Sequence, residues 1–118
     1  VHDHTLFLKV NGSLWGMGKN ENGQLGDGTL INSLTPKQLV SSNVIKISAG
    51  WKHSAYIKTD GSLWTMGNND YGQLGTGNFN STLVPVKIIN KAISLFRKFF
   101  VAIECICKIQ VHYCLLVS

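Results

Sequence analysis

The sequence predicts an all-β protein: a partial β-propeller built from two tandem four-stranded antiparallel blades. Two observations lead to this prediction, an internal repeat with a constant spacing of 49 residues and a strand–turn–strand pattern inside each copy. A period of roughly 20–50 residues is typical of solenoids, propellers and repeat arrays. No gap is needed to match the copies: His4 matches His53, Gly12 matches Gly61, Trp15 matches Trp64, Gly23 matches Gly72 and Pro36 matches Pro85.

Each copy contains a predicted β-hairpin. Asn11-Gly12 and Asp60-Gly61 are dipeptides that accept positive φ at both central positions of a type I′ turn, which suits antiparallel strands. The flanking residues are rich in aromatic and β-branched types, as strands are. The predicted strands are Thr5–Val10 and Ser13–Met17 in the first copy, and Ser54–Thr59 and Ser62–Met66 in the second.

Apolar side chains are expected on both faces of these strands. Successive residues of a strand point to opposite faces, so Leu14 and Leu63 point one way while Trp15 and Trp64 point the other. Strands that are apolar on both faces lie between two layers rather than at a surface. Stacked propeller blades meet this requirement.

A glycine-rich segment follows each hairpin, at 23–28 and 72–77. Closely spaced glycines can cradle a phosphate, but a phosphate loop also needs Gly-Lys-Ser/Thr and a following helix. Here each segment leads instead towards a turn marked by Pro36 or Pro85. We therefore interpret the glycines as supplying positive φ in tight connections.

The remaining regular pattern divides the chain into repeats and a tail. Residues 43–49 alternate apolar and polar side chains, which predicts a strand that closes the first copy. We expect residues 1–90 to hold the two repeats, at about 4–52 and 53–90. Residues 91–118 form a divergent apolar tail of uncertain strand or helix character. We favour a strand over Val101–Tyr113. Such a strand could cap the last blade. Alternatively, the tail could reflect a frameshift.

Three segments resemble the regulator of chromosome condensation repeat family, including its bacterial β-lactamase-inhibitor-type propellers. They are Ser48–Ser54, Asp60–Gly67 and Asp70–Gly75. The resemblance implies a β-propeller with blades of about fifty residues and a protein-binding face. Family members act in guanine-nucleotide exchange, chromatin binding, β-lactamase inhibition, and light or ubiquitin signalling. The matched positions are framework residues, so the resemblance assigns none of these activities to the chain.

Two repeats are too few to close a propeller ring, which needs about four to eight blades. Val1 also stands where the second copy has Gly50, so the sequence opens inside a repeat. We expect either a piece of a longer propeller or a chain that assembles as a homo-oligomer to complete a ring.

Composition argues against several other functions. The net charge is +5, but the lysines are scattered and there is one arginine, so nucleic-acid binding is disfavoured. No run of 18 or more apolar residues predicts a membrane span, and the first residues lack a secretory pattern. Three cysteines make a poor disulfide framework. Together these features predict a cytoplasmic protein.

No set of residues predicts catalysis, a cofactor or a metal. The six acidic residues fall mostly in turns, without a paired carboxylate or a Ser-His-Asp arrangement. Cys105, Cys107, Cys114 and His112 could together ligate zinc, yet their spacing favours buried free thiols. His4 and His53 recur with the framework and are interpreted as hydrogen-bonding blade residues.

The candidate partner-binding residues are those in loops that do not recur between copies. Surface loops carry function, and Trp and Tyr are favoured interface anchors. These candidates are Trp51, Lys52, Glu21, Asp70 and Tyr71. The sequence therefore predicts a protein-interaction module with a partner of unknown identity. Two alternatives remain open: an exchange or chromatin factor, and a carbohydrate-binding propeller that uses Trp51 and Tyr71.

Overall fold

A computed structural model of the protein describes residues 4–90, which form two antiparallel sheets. The first sheet has the order β1-β2-β3 and the second has the order β4-β5-β6-β7. No helix occurs within this range, so the predicted all-β fold is confirmed. The strands are β1 His4–Leu8, β2 Leu14–Gly18, β3 Ser33–Val40, β4 Val44–Ala49, β5 His53–Lys58, β6 Leu63–Gly67 and β7 Thr82–Ile89.

The sheets divide the chain differently from the sequence copies. Residues 44–49 form a strand as predicted, but β4 pairs with β5 and opens the second sheet instead of closing the first copy. Within residues 4–90 the first sheet has three strands and not four. The prediction of two four-stranded blades is thus correct for the second sheet only.

Both predicted hairpins form, but their turns are not type I′. In the first hairpin the amide of Gly12 donates to the carbonyl of Lys9, and Lys9 in turn donates to Ser13. Gly12 has φ +86°, whereas Asn11 is not among the residues with positive φ. This is a three-residue loop, a type I turn followed by a left-handed glycine. Asn11 keeps negative φ because its Oδ1 accepts hydrogen bonds from both the amide and the hydroxyl of Ser13.

The prolines lie in strands and not in turns, which corrects the sequence-based prediction. Pro36 is in β3 and Pro85 is in β7, the outermost strand of each sheet. The pairing register with the neighbouring strand shifts beside both prolines. In the first sheet this shift lies between the pairs Gly16–Lys37 and Gly18–Ser33. A residue without a backbone N–H is tolerated at a bulge on an edge strand, where one side of the ladder needs no donor.

The main core lies between the two sheets. Leu14 from the first sheet packs with Val44, Tyr56 and Met66 from the second, and Trp64 packs at the margin. Leu63, one residue before Trp64, belongs to a separate cluster on the opposite face of the second sheet. The predicted alternation of leucine and tryptophan faces is confirmed. Each side chain that is fully buried in this way contributes about 1.5–3 kcal/mol to folding.

The predictions for the tail, including the strand over Val101–Tyr113 and the cysteine–histidine group, lie outside the described residues. Between His4 and Asn90, no helix has the length and apolar character that crossing a bilayer requires.

Candidate functional site

One buried asparagine anchors the long loop after β2, and a second anchors the equivalent loop after β6. Asn69 is 0% exposed, and its side-chain amide donates to the carbonyls of Asn78 and Asn80 at 2.9 Å each. Its Oδ1 accepts the amide of Leu74. Asn20 makes the matching bonds in the first copy. Each loop is therefore held by one side chain that spans its two ends.

The glycine-rich loops use their backbone amides internally. Gly26 donates to the carbonyl of Gly23, and Gly28 donates to Leu83 of β7. Gly23, Gly26 and Gly28 all have positive φ, as do their counterparts in the second copy. These amides are not turned towards an anion, so the prediction of a structural role is confirmed for the loops.

The first loop packs directly on the second sheet. A Cβ on Gly23 would lie 2.7 Å from the carbonyl oxygen of Thr82, so the two backbones touch there. The hydroxyl of Ser54 donates to the carbonyl of Gln24 at 2.7 Å. Because that hydroxyl has one proton, its oxygen accepts the hydrogen bond from Nε2 of His4, at 2.8 Å. His4 thus bonds across the two sheets, in line with its predicted role.

One residue, Asn68, ties three loops together at the end of β6. Its amide group donates to Oδ1 of Asn22 at 3.3 Å and to Oδ2 of Asp70 at 3.0 Å. Its backbone amide donates to the carbonyl of Lys52 at 2.9 Å. Its Oδ1 accepts from Asp70 and Gln73. We call the surface formed by residues 19–24, 50–52 and 68–73 the loop rim.

All five predicted binding residues lie on the loop rim. Trp51 is 41% exposed, and the ammonium of Lys52 lies 5.0 Å from its ring centroid. Tyr71 is 59% exposed and follows Asp70, which is bonded to Asn68. Glu21 precedes Asn22 and lies 3.9 Å from Lys19. Their loops are thus brought together, while their role in binding stays a prediction.

The sequence pattern did not single out Asn68, although a signal was present. Its counterpart in the first copy is Lys19, so this position breaks the repeat beside residues that follow the framework. Asn68 is 8% exposed, which is unusual for a polar side chain without a framework role. A polar residue that differs between the copies at a strand end is therefore as informative as an exposed aromatic residue.

Three groups among residues 4–90 have shifted pKa values. Burial alone would raise the pKa of Asp27, but hydrogen bonds from Lys37, Thr29 and Asn20 outweigh it and hold that pKa at about 2. Hydrogen bonds from Ser62 lower the pKa of Asp60. Burial raises the pKa of Tyr56 to about 12. All three therefore keep their usual charge state at neutral pH.

The described chain offers no metal-binding group. Within residues 4–90, no three or more His, Cys, Asp or Glu side chains come together in a way that could hold an ion. What the loop rim offers is a surface of hydrogen-bonded loops with two exposed aromatic rings, those of Trp51 and Tyr71.

Two stacked antiparallel sheets with repeated hairpins define this protein as a segment of a β-propeller. Models of the regulator of chromosome condensation (RCC1) repeat match residues 11–57 and 60–105, and a second model of the same description matches residues 44–73. The chain therefore belongs to the RCC1 repeat family. The match to residues 60–105 extends past Asn90, where the repeated framework residues stop.

Relatives and solved structures agree with this assignment. The ultraviolet-B receptor UVR8 of Arabidopsis thaliana is 36% identical over 53 residues, which are 42% of this chain and 12% of the receptor. Human WBSCR16 superposes with a TM-score of 0.62 and 26% identity, over 72% of this chain and 23% of that one. Prp20p of Saccharomyces cerevisiae gives a TM-score of 0.68 and 22% identity, over 75% and 24%. The chain thus spans about a quarter or less of each protein.

Proposed function

We propose that this chain is a protein-interaction module whose binding surface is the loop rim. It acts by holding a partner and not by catalysing a reaction. Similarity to propellers that bind proteins supports this proposal: Prp20p has binding properties towards Gsp1p and histones, and yeast RCC1 (Prp20) has been crystallised bound to Kap60. A scaffold of repeated blades is suited to presenting loops, because each blade supports the next.

The observation that carries the proposal is the fixation of three loops by Asn68. An exposed ring on a loose loop loses conformational entropy when a partner orders it, whereas a ring on a fixed loop does not. Trp51 and Tyr71 are exposed, yet hydrogen bonds hold the loops that carry them. The carbonyl of Lys52, next to Trp51, accepts the backbone amide of Asn68. The amide of Tyr71 donates to the side chain of Gln73, which in turn donates to Oδ1 of Asn68. Large aromatic side chains on such a surface are the residues that contribute most to protein interfaces.

The test is an affinity capture with a matched control. The native chain and the double variant Trp51→Ala/Tyr71→Ala are immobilised and exposed to extract, and bound proteins are identified and then purified for titration. Val10→Ala serves as the control, because Val10 is fully exposed in the turn between β1 and β2, at the strand ends opposite the loop rim. We expect the double variant to bind a purified partner at least about tenfold more weakly. Equal binding by all three proteins would contradict the proposal.

A second candidate function is regulation of a small GTPase or of chromatin. The similarity to Prp20p favours it, since Prp20p has binding properties towards Gsp1p and histones. The corresponding assay measures nucleotide release from a small GTPase with and without this chain. Acceleration of release would support the exchange role, and an unchanged rate would leave the general interaction role as the better account.

A further inference from the structure

The two hairpin turns lie side by side at the strand ends opposite the loop rim. The carbonyl of Gly12 accepts the amide of Val44 at 3.0 Å, and the carbonyl of Asn43 accepts the amide of Thr59 at 2.8 Å. Asn43 has φ +70° and is the one non-glycine residue with positive φ between residues 4 and 90. A backbone conformation of this kind persists only where its surroundings hold it in place. The turns at 9–13 and 58–62 therefore form one fixed surface, which, together with Lys87 of β7 beside it, we call the hairpin rim.

Three lysines of this surface are held on tryptophan rings. The ammonium of Lys9 lies 4.0 Å from the ring centroid of Trp15. Those of Lys58 and Lys87 lie 4.8 and 5.4 Å from the ring centroid of Trp64. A cation over an indole face is attracted by the ring quadrupole, which limits where the ammonium can move. The positive charges of the hairpin rim therefore occupy defined positions.

No carboxylate of the described residues forms a close ion pair with these lysines. Among the described residues, no carboxylate oxygen lies within 4.0 Å of the ammonium of Lys9, Lys58 or Lys87, whereas Lys37 lies 2.7 Å from Asp27. Asp60 stands in the second turn, where the amide and hydroxyl of Ser62 engage its Oδ1 and the charges of Lys87 and Lys58 contribute to lowering its pKa. The hairpin rim thus holds three fixed cations against one carboxylate.

We propose that the hairpin rim binds an acidic protein segment, with carboxylates bridging the fixed ammonium groups. Exposed acidic side chains of a partner gain most where cations are already positioned and unpaired. This surface is separate from the loop rim, so the inference does not rest on the proposed function.

The tryptophan rings favour a protein over a nucleic acid as the partner. Single-stranded nucleic acids need open aromatic faces for base stacking. Here the ring of Trp15 lies against Phe7 and Lys9, and the ring of Trp64 lies against Tyr56 and two lysines. Their indole N–H groups donate to Ser13 and Ser62. Residues 4–90 also contain no arginine, the residue that most often reads bases.

The experiment is a fluorescence anisotropy titration of labelled poly-L-glutamate with the full chain at low ionic strength. The test variant is Lys58→Gln/Lys87→Gln. The control variant is Lys19→Gln/Lys37→Gln, which removes the same charge from lysines that already have carboxylate neighbours. Far-ultraviolet circular dichroism verifies that each variant is folded. A labelled single-stranded oligonucleotide is titrated in parallel.

We expect the test variant to bind poly-L-glutamate about five- to tenfold more weakly than the native chain, and the control variant to change by less than about twofold. An equal loss in both variants would show attraction by net charge alone and overturn the proposal. Absence of binding by the native chain, or tighter binding of the oligonucleotide, would overturn it too. Poly-L-lysine should show no binding to the native chain.

Discussion

At the scale of single residues, each long loop depends on one buried asparagine. The Asn69 side chain donates to two backbone carbonyls and accepts the amide of Leu74, and both Asn69 and Leu74 are fully buried. We expect Asn69→Ala to lower the free energy of unfolding by about 3 kcal/mol, because the buried amide of Leu74 and two loop carbonyls lose their partner together. Urea denaturation measures this. The control is Asn90→Ala, at an exposed position, with an expected change below about 0.5 kcal/mol. Equal effects would contradict the anchoring role.

Asp27 makes stability depend on pH in the acid range. Its pKa is about 2 in the folded chain against an ordinary value of 3.8, so the folded state favours the ionised form. The resulting stabilisation is fully present above the ordinary pKa of 3.8 and is lost as the pH falls through about 2. Asp27→Asn should lack this loss. Urea denaturation of both proteins between neutral pH and about pH 2 measures the difference, and parallel curves would contradict the assignment.

The recurrence of a residue says that it belongs to the framework but not what it does there. His4 and His53 recur, and the predicted role in hydrogen bonding is confirmed for His4, whose Nε2 bonds to Ser54 of the second sheet. Asn20 and Asn69 recur as well, yet the sequence did not indicate their role, since an asparagine among glycines is also typical of an ordinary turn. Their importance comes from burial, which depends on the folded loop and cannot be read from one sequence.

At the scale of elements, the two copies of the glycine loop have different surroundings. Gly23 touches the backbone of Thr82, whereas a Cβ on Gly72 would meet nothing closer than a side-chain carbon of Phe79 at 3.5 Å. Both glycines have positive φ, so Ala costs about 1–2 kcal/mol in backbone strain at either site. Gly23→Ala should lose about 2 kcal/mol more, because the backbone of β7 must move.

Equilibrium urea denaturation of the Gly23→Ala and Gly72→Ala chains tests this difference. The second variant serves as the control for strain, since it changes the same residue in the same loop conformation. Equal losses of stability in the two variants would show that contact with β7 does not matter.

Hairpins were predictable because their signal is local, whereas the outer strands were not. The pattern of strand, Asn/Asp-Gly and strand placed β1, β2, β5 and β6 within two residues of their observed bounds. Pro36 and Pro85 indicated turns instead of β3 and β7, because proline normally interrupts a ladder. A bulge and an edge position remove that conflict, and both depend on which strands pair.

At the scale of the whole molecule, the stacking of sheets was predictable from the repeat, but the assignment of β4 was not. Leucine and tryptophan faces alternate within each hairpin, and this correctly indicated that one sheet packs on the other. Residues 44–49 are equally close in sequence to β3 and β5, so no local pattern decides which sheet they join. The candidate site was predicted residue by residue. Its assembly around Asn68 requires contacts between loops 46 residues apart.

The shared core predicts that the two sheets unfold together. Met66 is fully buried between them, where it packs with Leu14 of the first sheet and lies against Gly26 of the first loop. Met66→Ala removes contacts from both sheets and leaves a cavity, which should cost about 2–5 kcal/mol. Native-state hydrogen exchange then provides the measurement, with the amides of β1 and β5 as reporters. Protection should fall by a similar free energy in both strands, since neither sheet keeps its inner face covered when the other opens. A loss confined to β5 and β6, with β1 unchanged, would show that the sheets are independent units, and would contradict the shared core as the source of stability.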